Sequence, residues 1–306
     1  MKINKVALLG AGAVGAYFIW GLSEKMGDNF CVVAKEERKE RLEKNGIIIN
    51  GKQYSLNVKE PQELKDVDLI LVSSKQDALP GMLDDIKCMV GENTIVMSLL
   101  NGVTSEEIIG EAIGMEHILY SVMRIASVRI GNEITFNPGI TAGVFAGEKG
   151  ISEKTERILA VEELFKDSRI RFTFMEDFVR DMWMKYAGNI SQNLPQAVLG
   201  VGYGAYADSE HVNFIASALW KEVVQVAKAK GISITEEFQL FVGANPRARF
   251  STLQDIDAKR HTEIDIFAGE MVRMGKALGI EVPYCEYTYH LIKSLEEKND
   301  GKFDYD

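Results

Sequence analysis

Short apolar runs alternate with helical periodicity along the first half of the chain. Residues 3–9, 30–34, 68–73 and 94–99 are short, largely apolar runs of strand length. Between them, residues 14–26, 36–45, 77–90 and 105–113 repeat their apolar positions at helical spacing. This alternation predicts βαβ units, hence a doubly wound parallel sheet with helices on both faces. Residues 46–58 carry Asn50-Gly51 between β-branched and aromatic residues, which predicts a hairpin. Several β-prone runs over 118–145, broken at Gly131-Asn132 and Pro138-Gly139, predict antiparallel additions to the sheet. A helix over 152–166 and a last strand over 169–175 complete this half. Beyond Met175 the strand pattern stops, and residues 178–192, 209–230, 259–278 and 283–297 all read as helices. The expectation is an α/β domain over 1–176 and an all-helical domain over 177–306, meeting at a cleft, with a frayed tail over 298–306.

Composition narrows the function classes. The 306 residues carry 45 acids against 35 bases, a net charge of −10. Such a field repels nucleic acid and anionic lipid, so any anionic ligand needs a local basic site. Cys31, Cys88 and Cys285 have no metal-ligand spacing to any histidine and read as reduced packing residues of a cytoplasmic protein. Lys2 and Lys5 precede an apolar stretch that could pass for a secretory leader, but four glycines interrupt it and no small-x-small site closes it.

Three of those glycines have a better use. Gly10-Ala11-Gly12-Ala13-Val14-Gly15 follows a strand and opens a helix. The first glycine permits a tight turn, the second lets backbone approach a pyrophosphate, and the third lets helix and strand pack closely. In that position the motif predicts a Rossmann-type dinucleotide site, with the helix N-terminus holding the anion. An NAD site places an acid at the end of the second strand. Here the strand runs into Lys35, which suits a 2′-phosphate and favours NADP, with Arg38 as a competing cation.

Candidate chemistry follows. Lys185, Asn189 and Asn193 fall at i, i+4 and i+8 of a predicted helix and form a stripe drifting by ~40° per step. Downstream come Ser251-Thr252-Leu253-Gln254-Asp255 and Thr262-Glu263-Ile264-Asp265, the latter with the acid-rich look of a helix start. Lys75 and Asn101-Gly102 each lie just past a predicted strand, on the edge where open α/β sheets bind ligands.

Taken together, these residues and motifs resemble the ketopantoate reductase (2-dehydropantoate 2-reductase) family. The resemblance implies NADPH-dependent reduction of ketopantoate to pantoate, on the way to pantothenate and coenzyme A. It also implies Lys185 as general acid, Glu263 as the group that binds substrate and orients the lysine, Asn189 and Asn193 on the substrate hydroxyl, and Ser251 on its carboxylate. Lys75 and Asn101 would line the cofactor side, and no metal is required. Leu194 ahead of Pro195, the stretch 200–204 with Tyr203 and Tyr206, and Arg247 and Arg249 before Ser251 depart from the family pattern. They leave open a different branched 2-oxo or 3-oxo acid. A non-catalytic NADP-binding sensor is the remaining alternative, against which the complete set of polar residues argues. The expected partner is a small-molecule 2-oxo acid, not nucleic acid or membrane, and the oligomeric state stays open, a homodimer included.

Overall fold

The computed structural model describes residues 1–240 and 245–305. The chain divides into two compact units, Met1–Val179 and Arg180–Asp306.

In the first unit, β1 (Val6–Leu9), α1 (Ala13–Met26), β2 (Phe30–Val33), α2 (Glu36–Asn45), β3 (Ile47–Ile49), β4 (Lys52–Tyr54), β5 (Val58–Lys59), β6 (Leu69–Val72), α3 (Leu83–Met89), β7 (Ile95–Ser98) and α4 (Ser105–Ile113) follow in order. Strands β5-β2-β1-β6-β7 form one sheet, parallel throughout, with Val6 opposite both Phe30 and Leu69. Four of the five strands, all but β5, are buried along their whole length, which is why they read as apolar runs, broken only by Ser98 at the end of β7. Strand order reverses between β1 and β6, so the carboxyl ends of these two strands border the switch point. Tyr17, Phe18, Ile19 and Leu22 of α1 pack into the core that backs this sheet.

Two departures from the sequence reading concern this unit. The predicted helix over 77–90 is helical only as α3, because Pro80-Gly81 divides the rest into two single 3₁₀ turns. The later strands do not extend the parallel sheet. The Asn50-Gly51 turn has both residues at positive φ, as a type I′ hairpin requires, and pairs β3 with β4. The other edge of β3 stays open and takes β10 (Glu133–Phe136), with β9 (Ser127–Ile130) beyond it. Strands β8 (Tyr120–Arg124), β11 (Gly143–Gly147) and β12 (Phe172–Phe174) form a third sheet, linked to β7 by a lone bridge at Val96 and Ile118. Helix α5 (Glu156–Phe165) lies between β11 and β12 in sequence, its N-terminus capped by Thr155.

The second unit has no strand among its described residues. It comprises α6 (Phe178–Gly188, entering from the first unit), a π turn (Asn189–Asn193), α7 (Leu194–Leu199), α8 (Ala205–Asp208), α9 (Glu210–Ala229), α10 (Ser251–Asp257), α11 (Ala268–Leu278) and α12 (Pro283–Asn299). Trp183, Trp220, Tyr186 and Tyr206 are its largest fully buried side chains. The helix predicted from 259 begins only at Ala268. Residues 259–267 form a loop that starts with Lys259 at φ 52°. At the other end α12 runs through Asn299, so only the first two residues of the tail expected to fray, Lys298 and Asn299, are helical.

Candidate active site

The glycine loop is shaped by its contact with β6. Gly10 sits at φ +101°, and a Cβ there would come within 2.7 Å of the Ser73 backbone. Ser73 donates its hydroxyl to the Gly10 carbonyl at 2.7 Å and its N–H to Leu9 at 2.8 Å, locking the loop to the neighbouring strand. Gly15 has even less room, since a Cβ would lie 2.0 Å from the Gly10 carbonyl oxygen. Gly12 is different. A Cβ there would meet nothing within 4 Å, so the fold itself leaves that position free.

Gly12 is the N-cap of α1, where no side chain caps the helix and no acid occupies the first turn. The amides of Ala13, Val14 and Gly15 therefore offer an anion the positive end of the helix. Next to Gly10, the Ser74 hydroxyl is buried without a partner, and the Gln76 side-chain oxygen is likewise unmet. These features fit a dinucleotide at the switch point. Lys75 is exposed just past β6, while Asn101 is half-buried past β7, beside Gly102 at φ +102°.

At the end of β2, Lys35 is the N-cap residue of α2, and its ammonium meets the Asp85 carboxylate at 2.9 Å. That hydrogen bond raises its pKa. A second cationic feature stands nearby. Arg38, Arg41 and Arg129 line a pocket of about 490 Å³ together with Ala11 of the glycine loop, Asn45 and Asn132. None of the three arginines pairs with a carboxylate among the described residues. Although Arg38 is exposed overall, desolvation of its guanidinium, with the charges of Arg41 and Arg129, lowers its pKa. Arg41 and Arg129 were not singled out by sequence reasoning. Arg129 comes from β9, some ninety residues away, and only the pairing of β10 with β3 brings it here.

The second unit holds the other candidates. Lys185 and Asn189 are half-buried, and Asn193 is buried. Lys185 lies in the last turn of α6, and the two asparagines bound the π turn. In an α-helix residue i+4 overshoots a full turn, whereas in a π turn it falls short. The step from Asn189 to Asn193 therefore reverses part of the drift from Lys185 to Asn189, and the stripe closes up. The neighbouring Tyr186 is fully buried. Its hydroxyl lies 3.1 Å from the Ile266 carbonyl and 2.8 Å from that of Phe267, sharing its proton between them. These carbonyls follow Glu263 by three and four residues, so the helix of Lys185 is fastened to the loop of Glu263. Glu263 itself is half-buried, and its carbonyl accepts the amides of Ile266 and Phe267.

Ser251 is exposed at the first turn of α10. Gln196 of α7 holds the segment ahead of it, accepting the Phe250 amide at 2.5 Å and donating to the Ala248 carbonyl at 3.0 Å. Of the two arginines preceding Ser251, Arg249 pairs with Asp257 at 2.8 Å and Arg247 is exposed. Among the described residues no group of three or more His, Cys, Asp or Glu could hold a metal ion.

Comparison with known proteins decides the family. Residues 6–146 match the family described as "Ketopantoate reductase PanE/ApbA", and residues 177–296 match "Ketopantoate reductase PanE/ApbA C terminal". The chain belongs to the ketopantoate reductase family. It is accordingly an NADP-dependent oxidoreductase. A 2-dehydropantoate 2-reductase of Streptococcus pyogenes serotype M1 is 28% identical over 301 residues, covering 95% of this chain and 97% of that protein. Among solved structures, a PanE/ApbA family ketopantoate reductase from Ralstonia eutropha JMP134 shares the fold with a TM-score of 0.77 at 22% identity, over 97% of this chain and 99% of that one. D-mandelate dehydrogenase, in a ternary structure with NADH and anilino(oxo)acetate, is as similar, with a TM-score of 0.78 at 22% identity over the same shares. No helix among the described residues is long and apolar enough to cross a membrane.

Proposed function

We propose that this protein reduces 2-dehydropantoate (ketopantoate) to pantoate with NADPH. The observation that supports the reading is the fastening of α6, which carries Lys185, to the loop of Glu263 through the Tyr186 hydroxyl. NADPH supplies a hydride to the carbonyl carbon. Lys185 donates a proton to the carbonyl oxygen as negative charge builds there, and Glu263 binds the substrate and orients the lysine. The paired amides of Asn189 and Asn193 suit a hydroxyl, which needs both a donor and an acceptor. Ser251 binds the substrate carboxylate. Gly10, Gly12, Ala13, Val14 and Gly15 carry the pyrophosphate, with Lys75 and Asn101 beside the cofactor.

The 2′-phosphate goes to Arg38, Arg41 and Arg129 in this reading. Their charges are unneutralised next to the glycine loop, whereas Lys35 is engaged by Asp85. Three cysteines without disulfides, two of them buried, support a protein of the reducing cytoplasm.

A second reading keeps the chemistry and changes the substrate to another branched 2-oxo acid. It is favoured by the exposed Arg247 near Ser251 and by the equal likeness to D-mandelate dehydrogenase. The test is NADPH oxidation against a panel of 2-oxo acids, with product identified by mass spectrometry. Ketopantoate giving the highest kcat/KM, with pantoate formed, supports the first reading. A higher value for another acid supports the second, and oxidation with none refutes both.

A further inference from the structure

The loop of Glu263 is held from α12 by a carboxylate that no reading of the reaction uses. Glu296 is 3% exposed. Its Oε1 accepts both the Thr262 amide and the Thr262 hydroxyl, each at 2.7 Å. That hydroxyl in turn accepts the Ile264 amide at 3.2 Å, so it bridges across Glu263 from one neighbour to the other. The second oxygen of Glu296 faces Lys293 at 3.1 Å and His261 at 3.6 Å. Lys293 also reaches Asp265 at 3.3 Å, and Asp265 accepts the Tyr289 hydroxyl at 2.8 Å. Residues on both sides of Glu263 are thereby tied to α12, while Ile266 and Phe267 are tied to α6.

A loop of nine residues between two helices has many conformations, and fixing it takes bonds that water cannot replace. The bonds of Glu296 are of that kind, being charge-assisted and buried. They converge on the residues adjoining Glu263. From this geometry we propose that Glu296 is a positioning residue: it sets the backbone from which Glu263 meets the substrate. This rests on the reading of Glu263 as a substrate-binding group. Glu296 touches no reacting atom in this account, and its effect passes through Glu263.

The test is a double-mutant cycle on the full chain with the 2-oxo acid that it turns over best. Misplacing a binding group by about 1 Å is enough to cost orders of magnitude in rate. Glu296→Ala should therefore raise KM for the 2-oxo acid by roughly tenfold or more, with the Kd for NADPH unchanged. Glu296→Gln keeps an oxygen for Thr262 and should restore most of the loss. In a Glu263→Ala background, Glu296→Ala should change KM by less than about twofold, since the group it positions is gone. If Glu296→Ala does not fold, Thr262→Val removes the same hydroxyl bridge from the other side and should raise KM in the same way. Full additivity of the Glu263 and Glu296 effects would overturn the proposal alone, as would a parallel loss of NADPH binding. A Glu263→Ala protein with unchanged KM would overturn the reading of Glu263 and the proposal with it.

Discussion

Replacing Glu106 by glutamine should stabilise the first unit above neutral pH and do so by an amount that shrinks as the solution is acidified. Glu106 lies in the first turn of α4 and is 2% exposed. Ser105 donates to its Oε2 at 2.8 Å, and the Ser105 hydroxyl is 2.8 Å from that of Ser98 on β7. Burial is the largest influence on the carboxyl and pushes its pKa up from 4.5 to about 7, against the smaller pull of the Ser105 hydroxyl and two backbone amides. Between these two values the folded protein keeps a proton that the unfolded chain has released. The native state thus binds more protons, and stability falls as pH rises from 4.5 to about 7, then levels off. A gap of 2.5 units at about 1.4 kcal/mol each corresponds to about 3 kcal/mol, of which the field at a helix N-terminus returns up to ~1 kcal/mol to the ionised form. The expected span is about 2 to 3 kcal/mol. Glutamine keeps an oxygen for Ser105 and has no proton to lose. Urea denaturation of parent and Glu106→Gln at pH 5, 6, 7 and 8, read from hydrogen exchange of β7 and β8, reports the first unit alone. The difference between the two proteins should grow by that span towards pH 8, in favour of glutamine. A difference that stays flat, or one that favours the parent as pH rises, would mean that the carboxylate is ionised in the fold and would refute the reasoning.

Gly15→Ala must push its methyl against the Gly10 carbonyl and should cost on the order of 1 to 3 kcal/mol in a thermal or chemical melt, whereas Gly12→Ala meets open space and should fold normally yet lose NADPH affinity by fluorescence titration. Arg38→Ala should narrow the NADPH over NADH preference by tenfold or more, the equivalent of a charge-assisted contact of about 1.5 to 3 kcal/mol, while Lys35→Ala should leave it within a few-fold because Asp85 already holds that ammonium. Comparing the two cofactors by titration on each variant decides which cation faces the phosphate. Lys185→Ala should lower kcat by about two to four powers of ten in steady-state assays with little change in NADPH affinity; a variant that melts early and turns over normally would remove Lys185 as the acid.

Much of the cofactor half is legible in the sequence because its cause is local. A parallel strand buried on both faces must be almost wholly apolar, and Val6–Leu9, Leu69–Val72 and, but for Ser98, Ile95–Ser98 are. The glycine loop is legible for the same reason, as Gly10 and Gly15 answer contacts with the adjoining strand and within the motif, while Gly12 lies open at the helix N-terminus. Where a feature depends on pairing between distant segments, the chain carries no periodic trace of it. Arg129 reaches the pocket of Arg38 only because β10 chooses the edge of β3, and residues 259–267 leave the helical path although their pattern suits a helix, because Glu296 and Tyr186 hold them in a loop.

The candidate stripe of Lys185, Asn189 and Asn193 lies between these extremes, and the residue that decides its geometry, Pro195, is visible in the sequence. Pro195 has no N–H to offer the carbonyl four residues back, and its ring would crowd that carbonyl in a continuous α-helix. The chain widens into the π turn Asn189–Asn193 just before Pro195, which falls in the first turn of α7. Such a widening relieves the clash without breaking the helix. It also shortens the angular step from Asn189 to Asn193 and so undoes drift that an α-helix would have added. Read by α-helical spacing alone, the stripe spreads over two faces. With the proline's steric demand included, Lys185, Asn189 and Asn193 gather towards one face, as their proposed work on a single small substrate requires.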